Sequence, residues 1–152
     1  MATTKGNNMG FLGFGKKVAA AKVELKKVEN RDLMEAIVGG CLLVAAADGE
    51  IEKEETAKLD QLLRSNPRLG HYGNEITALI TRFTEQLEAG FRVGRMNILR
   101  EIEDIKNTPT EAEEVFVNML TIAEADGEIE PEEQKVLEDV GRRLGLRVED
   151  YL

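Results

Sequence analysis

Tryptophan is absent from this chain, and histidine and cysteine occur once each, at His71 and Cys41. One cysteine excludes a disulfide framework and fits a reducing compartment. Cys41 lies in an uncharged apolar run, which marks it as a core residue rather than a nucleophile. His71 stands between Gly70 and Tyr72 in a glycine-rich turn and reads as an ordinary loop residue. A zinc site needs a Cys/His cluster, which the chain does not hold. No glycine-rich phosphate loop follows a strand, no nucleophile elbow is present, and no strand pattern of any length is found. Carboxylates are abundant, but nothing sets two of them in a dry cleft where their pKa values would be split. The sequence reads as that of a non-enzyme.

Long apolar runs are also missing. The longest, Ala36 to Ala47, has 12 residues, well short of the roughly 20 that span a bilayer. Met9-Gly10-Phe11-Leu12-Gly13-Phe14 is too short and too rich in glycine for a signal region. The expectation is a soluble, cytoplasmic protein, with peripheral contact at the inner face of the membrane as the one membrane role left open.

What is plentiful is charge. Residues 1–31 carry seven Lys/Arg against Glu24 and Glu29, whereas the remainder carries 13 basic and 27 acidic residues. An acidic body repels a phosphate backbone, so nucleic acid is not expected as a partner. The basic arm suits an anionic membrane or an acidic protein. Within it Val18, Ala21, Leu25 and Val28 recur at steps of three and four, on one helical face. The reading is a disordered extension over 1–10 and a basic amphipathic helix over 11–28. Its apolar stripe docks on the bundle, or Phe11, Phe14, Lys16, Lys17, Lys22 and Lys26 contact a membrane or partner.

The chain is organised around a repeat. Ala47-Asp48-Gly49-Glu50-Ile51-Glu52-Lys53-Glu54-Glu55 returns as Ala125-Asp126-Gly127-Glu128-Ile129-Glu130-Pro131-Glu132-Glu133, at an offset of 78 that holds over about thirty positions. Leu42 matches Leu120, Val44 matches Ile122, Leu59 matches Leu137 and Arg64 matches Arg142. Apolar periodicity predicts helices over 31–47, 53–64, 75–88, 91–106, 110–125 and 132–144, with Leu59, Leu62 and Leu63 facing inward. The helix over 31–47 is nearly apolar all round and should be buried, with Gly39 and Gly40 letting a neighbour approach. Thr110 with Glu113 reads as a capping box, and residues 146–152 as a short tail or final turn. With the arm, this makes an all-α, pseudo-twofold bundle of about seven helices in a single domain over 11–152, with two αα-corners.

Each corner gathers five acids into eight residues: Asp48, Glu50, Glu52, Glu54 and Glu55, then Asp126, Glu128, Glu130, Glu132 and Glu133. Local needs explain part of this. Gly49 supplies a left-handed residue after a helix ending at Asp48, Pro131 suits a first helical position, and acids in a first turn gain about 0.3–1 kcal/mol each from the helix dipole. Dipole help does not require so many. Hard cations such as Ca²⁺ or Mg²⁺ take oxygen ligands of this kind, although the Asp-x-Asp-x-Asp-Gly ladder of an EF-hand is absent. Three readings stand: purely architectural corners, a weak divalent-cation site drawing on Asp48, Glu50, Glu54, Glu55, Asp126, Glu128, Glu132 and Glu133, and an acidic docking surface.

Two helix–Asp-Gly–acidic–helix units nearly eighty residues apart, behind a Phe/Lys-rich start (Met9 to Lys17), resemble the TerB-type tellurite-resistance family over roughly Met9 to Leu152. Asp48-Gly49 with Glu54-Glu55, and Asp126-Gly127 with Glu132-Glu133, carry the likeness. Glu52 and Glu130 depart from it, standing at a helix cap where Ser or Asp is commoner. The resemblance implies a non-catalytic scaffold or sensor in a tellurite-resistance or metal-stress system. It further implies Ca²⁺ or another divalent cation at the acidic surface, and a TerC-type membrane protein or other Ter proteins as partners. The alternative it leaves is a co-chaperone-like or viral accessory module of the same fold, binding proteins with no metal role.

Overall fold

The structure, a computed structural model, describes residues 30–152. The expected extension and the basic helix over 11–28 lie outside them. Six α-helices follow in order: α1 (Arg31–Ala45), α2 (Lys53–Arg64), α3 (Asn74–Ala89), α4 (Phe91–Glu103), α5 (Pro109–Glu124) and α6 (Pro131–Leu144). Two 3-10 turns, Gly70–Tyr72 and Val148–Asp150, complete the path, and no strand occurs among the described residues.

Helix α1 is the axis of the body. Leu33, Met34, Ile37, Val38, Cys41, Leu42 and Val44 are all buried on it, as the all-round apolar pattern demands. Its two adjacent glycines are contact points. A Cβ at Gly39 would lie 2.7 Å from Ile98 Cγ2 on α4, and one at Gly40 would lie 2.8 Å from Met119 Sδ on α5. The missing side chains thus let α4 and α5 press directly on the α1 backbone. Burial raises the Cys41 thiol far above its ordinary range, which leaves it an inert core atom.

Among the remaining helices α2 packs against α3, α3 against α4, α4 against α6 and α5 against α6. Phe83, Phe116, Ile98, Ile102 and Met119 fill the interior, and no polar or charged residue is buried among the described residues. Helices α5 and α6 begin 78 residues after α1 and α2 respectively, so the sequence repeat and the helical path share one offset. Leu42 and Leu120, and Leu59 and Leu137, are buried as pairs of equivalents.

Three local expectations are corrected. Helix α1 stops at Ala45, and Ala46 to Asp48 continue as turns before Gly49, whose N–H donates to the Ala46 carbonyl at 2.9 Å. Helix α5 is opened by Thr108 and Pro109 rather than by a Thr110–Glu113 box. Proline lacks the N–H that a first helical residue would leave unpaired, and its fixed φ suits that position. Glu113 is then free to accept a hydrogen bond from the Tyr151 hydroxyl at 2.9 Å, while the Tyr151 ring meets Phe116 edge-on at 5.3 Å. The expected tail is thereby pinned. Leu62 does not face inward but is 42% exposed, because it borders the cavity described next.

Candidate functional site

The two acidic corners are neighbours. Each forms where one helix of a repeat ends and the next begins, and in each a glycine takes a φ that L side chains rarely adopt: +86° at Gly49 and +111° at Gly127. In the first, Asp48 Oδ1 accepts the Glu50 N–H at 3.0 Å, closing the turn. In the second, Glu133 Oε1 accepts the Glu130 N–H at 2.8 Å, half of a capping box built from glutamates. Glu54 and Glu55 then lie in the first turn of α2, and Glu132 and Glu133 in that of α6.

Between the corners lies a cavity of about 80 Å³. Glu55 and Glu133, one from each copy, line it with Asp126, and Leu59, Leu62 and Ile122 form its apolar side. Lys58 enters from α2 and sets its Nζ 2.8 Å from Asp126 Oδ1. Partial burial raises the Glu55 carboxyl above its ordinary value, and Glu52, Asp48, Asp126 and Glu133 raise it further by repulsion. Glu133 is also raised, by partial burial and by Glu130, Asp126 and Asp48, against the lowering effect of its bond to the Glu130 N–H. The field therefore crosses from one corner to the other.

Of the eight carboxylates expected to act together, Asp48, Glu55, Asp126 and Glu133 are drawn into one electrostatic group. Glu50, Glu54 and Glu128 are exposed and do not line the cavity. Glu132 points elsewhere, into a second groove with Lys135 and Val136. Phe11, Phe14, Lys16, Lys17, Lys22 and Lys26 lie outside the described residues. Among the described residues no three Asp, Glu, His or Cys side chains gather tightly enough to grip a metal ion directly. The donor chemistry is nonetheless all carboxylate oxygen, and the cavity is large enough for a few water molecules. Glu55, Glu133 and Asp126 are the carboxylates that would face a hard cation through its retained waters.

The sequence reading missed Lys58 and the apolar side of the cavity. The repeat itself held the signal. Position 58 is lysine in the first copy, whereas its counterpart 78 residues on is Val136. Likewise Leu62 and Ala125 line the acidic cavity, while their counterparts Val140 and Ala47 line the second groove. One architectural slot was made twice, with different chemistry in each.

An all-helical body built on two αα-corners that bring their acidic turns together is the class of protein this fold and site define. The family model described as Tellurite resistance protein TerB matches residues 34–152. The chain belongs to that family and carries a helical domain associated with tellurite resistance. No curated protein and no solved structure matches the chain. Among the described residues no helix is long and apolar enough to cross a membrane.

Proposed function

We propose that the chain is a non-catalytic, cation-responsive scaffold of a tellurite-resistance or metal-stress system. A divalent cation, Ca²⁺ first among them, sits between the corners through its hydration shell and relieves the repulsion among Asp48, Glu55, Asp126 and Glu133. The observation that carries this reading is the cavity to which each copy of the repeat contributes the same glutamate, Glu55 from one and Glu133 from the other. The raised pKa of both groups supports it, since a site that keeps like charges close gains most from a cation. Binding would tie α2 to α6 and so change the surface offered to a partner, a TerC-type membrane protein or another Ter protein.

The test is tellurite tolerance in cells that carry the rest of the system. Chain with Glu55→Gln and Glu133→Gln together, expressed at the wild-type level, is expected to lose protection. Full protection by that variant would remove the cation from the account. A second reading, a protein-interaction module with no metal role, draws on Lys58, which already supplies a positive charge to Asp126. It requires the same double variant to keep its partner and its protection.

A further inference from the structure

The second groove carries a different chemistry from the acidic cavity and does not depend on it. Leu43, Phe91, Leu99, Val136 and Val140, from α1, α4 and α6, form an apolar floor in a space of about 340 Å³. It adjoins a further space of about 220 Å³ through Arg95 and Leu99, which line both, and there Met96, Arg100 and Arg143 take over. Phe91 in the first space and Met96 in the second are 37% and 43% exposed, two large apolar side chains on one helix.

The rim is basic on an otherwise acidic body. Asp139 is shared by three guanidinium groups: Arg95 pairs with it, Arg143 Nε approaches its Oδ1 at 3.4 Å and Arg142 Nη2 at 3.7 Å. Glu103 occupies only one further bond of Arg143, at 2.9 Å. The Arg100 guanidinium meets the Met96 sulfur at 3.8 Å, and among the described residues no carboxylate pairs with Arg100 or Arg92. Guanidinium groups with unused donors beside exposed apolar side chains are a surface that recognises carboxylates and apolar anchors together.

We infer that the α4/α6 groove is a docking site for an acidic amphipathic segment of a partner protein, its apolar side chains on the Phe91–Leu99–Val136 floor and its carboxylates on Arg95, Arg100 and Arg143. Its charge is complementary to such a segment and opposite to that of the corners. Its form decides against a lipid surface. The groove is concave, and Glu132, Glu103 and Asp139 along it would repel a continuous anionic sheet, whereas a peptide places its carboxylates one by one.

The test is display selection of random twelve-residue peptides against the full chain, followed by fluorescence anisotropy and amide-shift mapping with the strongest peptide. The selected peptides are expected to combine Asp/Glu with Leu, Ile or Phe and to shift residues 91–100 and 135–143. Arg100→Glu, an exposed substitution, should weaken binding about tenfold, and Lys53→Glu should leave it unchanged. Basic peptides, peptides that map to the acidic corners, or affinity indifferent to Arg100→Glu would overturn the inference. So would shifts at 91–100 produced by phosphatidylglycerol vesicles and by no peptide, or self-association of the chain through this face.

Discussion

Lys58, from the first copy of the repeat, places its ammonium 2.8 Å from Asp126 Oδ1 in the second. The pair joins two corners whose other charges repel, and it fills by side chain the electrostatic need that a bound cation would fill. Both partners are well exposed, at 55% and 86% of the side chain, so the pair itself contributes at most about 1 kcal/mol to stability.

Replacing Lys58 by methionine should therefore separate the two effects. Melting temperature without divalent cation is expected to fall only slightly, while Ca²⁺ affinity measured by calorimetry should rise about fivefold, the size of one screened charge–charge interaction at close range. Affinity that falls with the lysine removed would mean that Lys58 organises the site instead of competing for it.

Glu55→Gln and Glu133→Gln should each raise the melting temperature in the absence of cation, because each removes one like charge from the group, and each should reduce the stabilisation that Ca²⁺ adds. Both carboxyls have raised folded-state pKa values. Acidification therefore protonates them earlier than ordinary glutamates and should weaken Ca²⁺ binding as the pH falls from 7 to 5. Calorimetric titrations at the two pH values check this.

Glu101 on α4 provides a separate pH effect. Burial, a hydrogen bond shared with Glu35 of α1, and the charges of Glu35 and Asp104 push its carboxyl from 4.5 up to about 7, opposed by Arg82 of α3. The folded chain thus keeps a proton that the unfolded chain has lost between these values. The stabilisation is complete below pH 4.5 and disappears as the pH rises through 7. Glu101→Gln, which keeps the hydrogen bond without the charge, should melt higher than wild type at pH 8 by on the order of 2 °C and equally at pH 4.5.

The two core glycines should respond differently to alanine. At Gly39 the new Cβ meets the branched Ile98 side chain at 2.7 Å, and at Gly40 it meets the flexible thioether of Met119 at 2.8 Å. Overpacking against a stiff neighbour costs about 1–3 kcal/mol, partly offset by the roughly 1 kcal/mol gain in helix propensity. Gly39→Ala should destabilise the chain in urea unfolding, and Gly40→Ala should come out near neutral.

The helices, the all-apolar α1 and the corner glycines were legible because periodicity and left-handed turns leave local marks in a sequence. The αα-corners carried their own offset, so α5 and α6 could be read from α1 and α2. What could not be read locally was which acids would meet. Glu54 and Glu55 are adjacent, as are Glu132 and Glu133, yet only one of each pair faces the shared cavity, a choice set by tertiary packing and not by the local sequence. The roles of Lys58 and Leu62 were hidden for the same reason: an exposed lysine and a helical leucine look ordinary until α5 and the corner after it supply Ile122 and Asp126.

In the proposed function the two corners form one cation site. Titration of the full chain with Ca²⁺, followed by backbone amide shifts with Mg²⁺ in parallel, tests it most directly. A shared site gives saturable shifts at residues 48–55 and 126–133 that follow a single dissociation constant and vanish together in Glu55→Gln/Glu133→Gln. Shifts that saturate independently at the two corners, or none at millimolar Ca²⁺, would contradict it and leave the corners as charged turns.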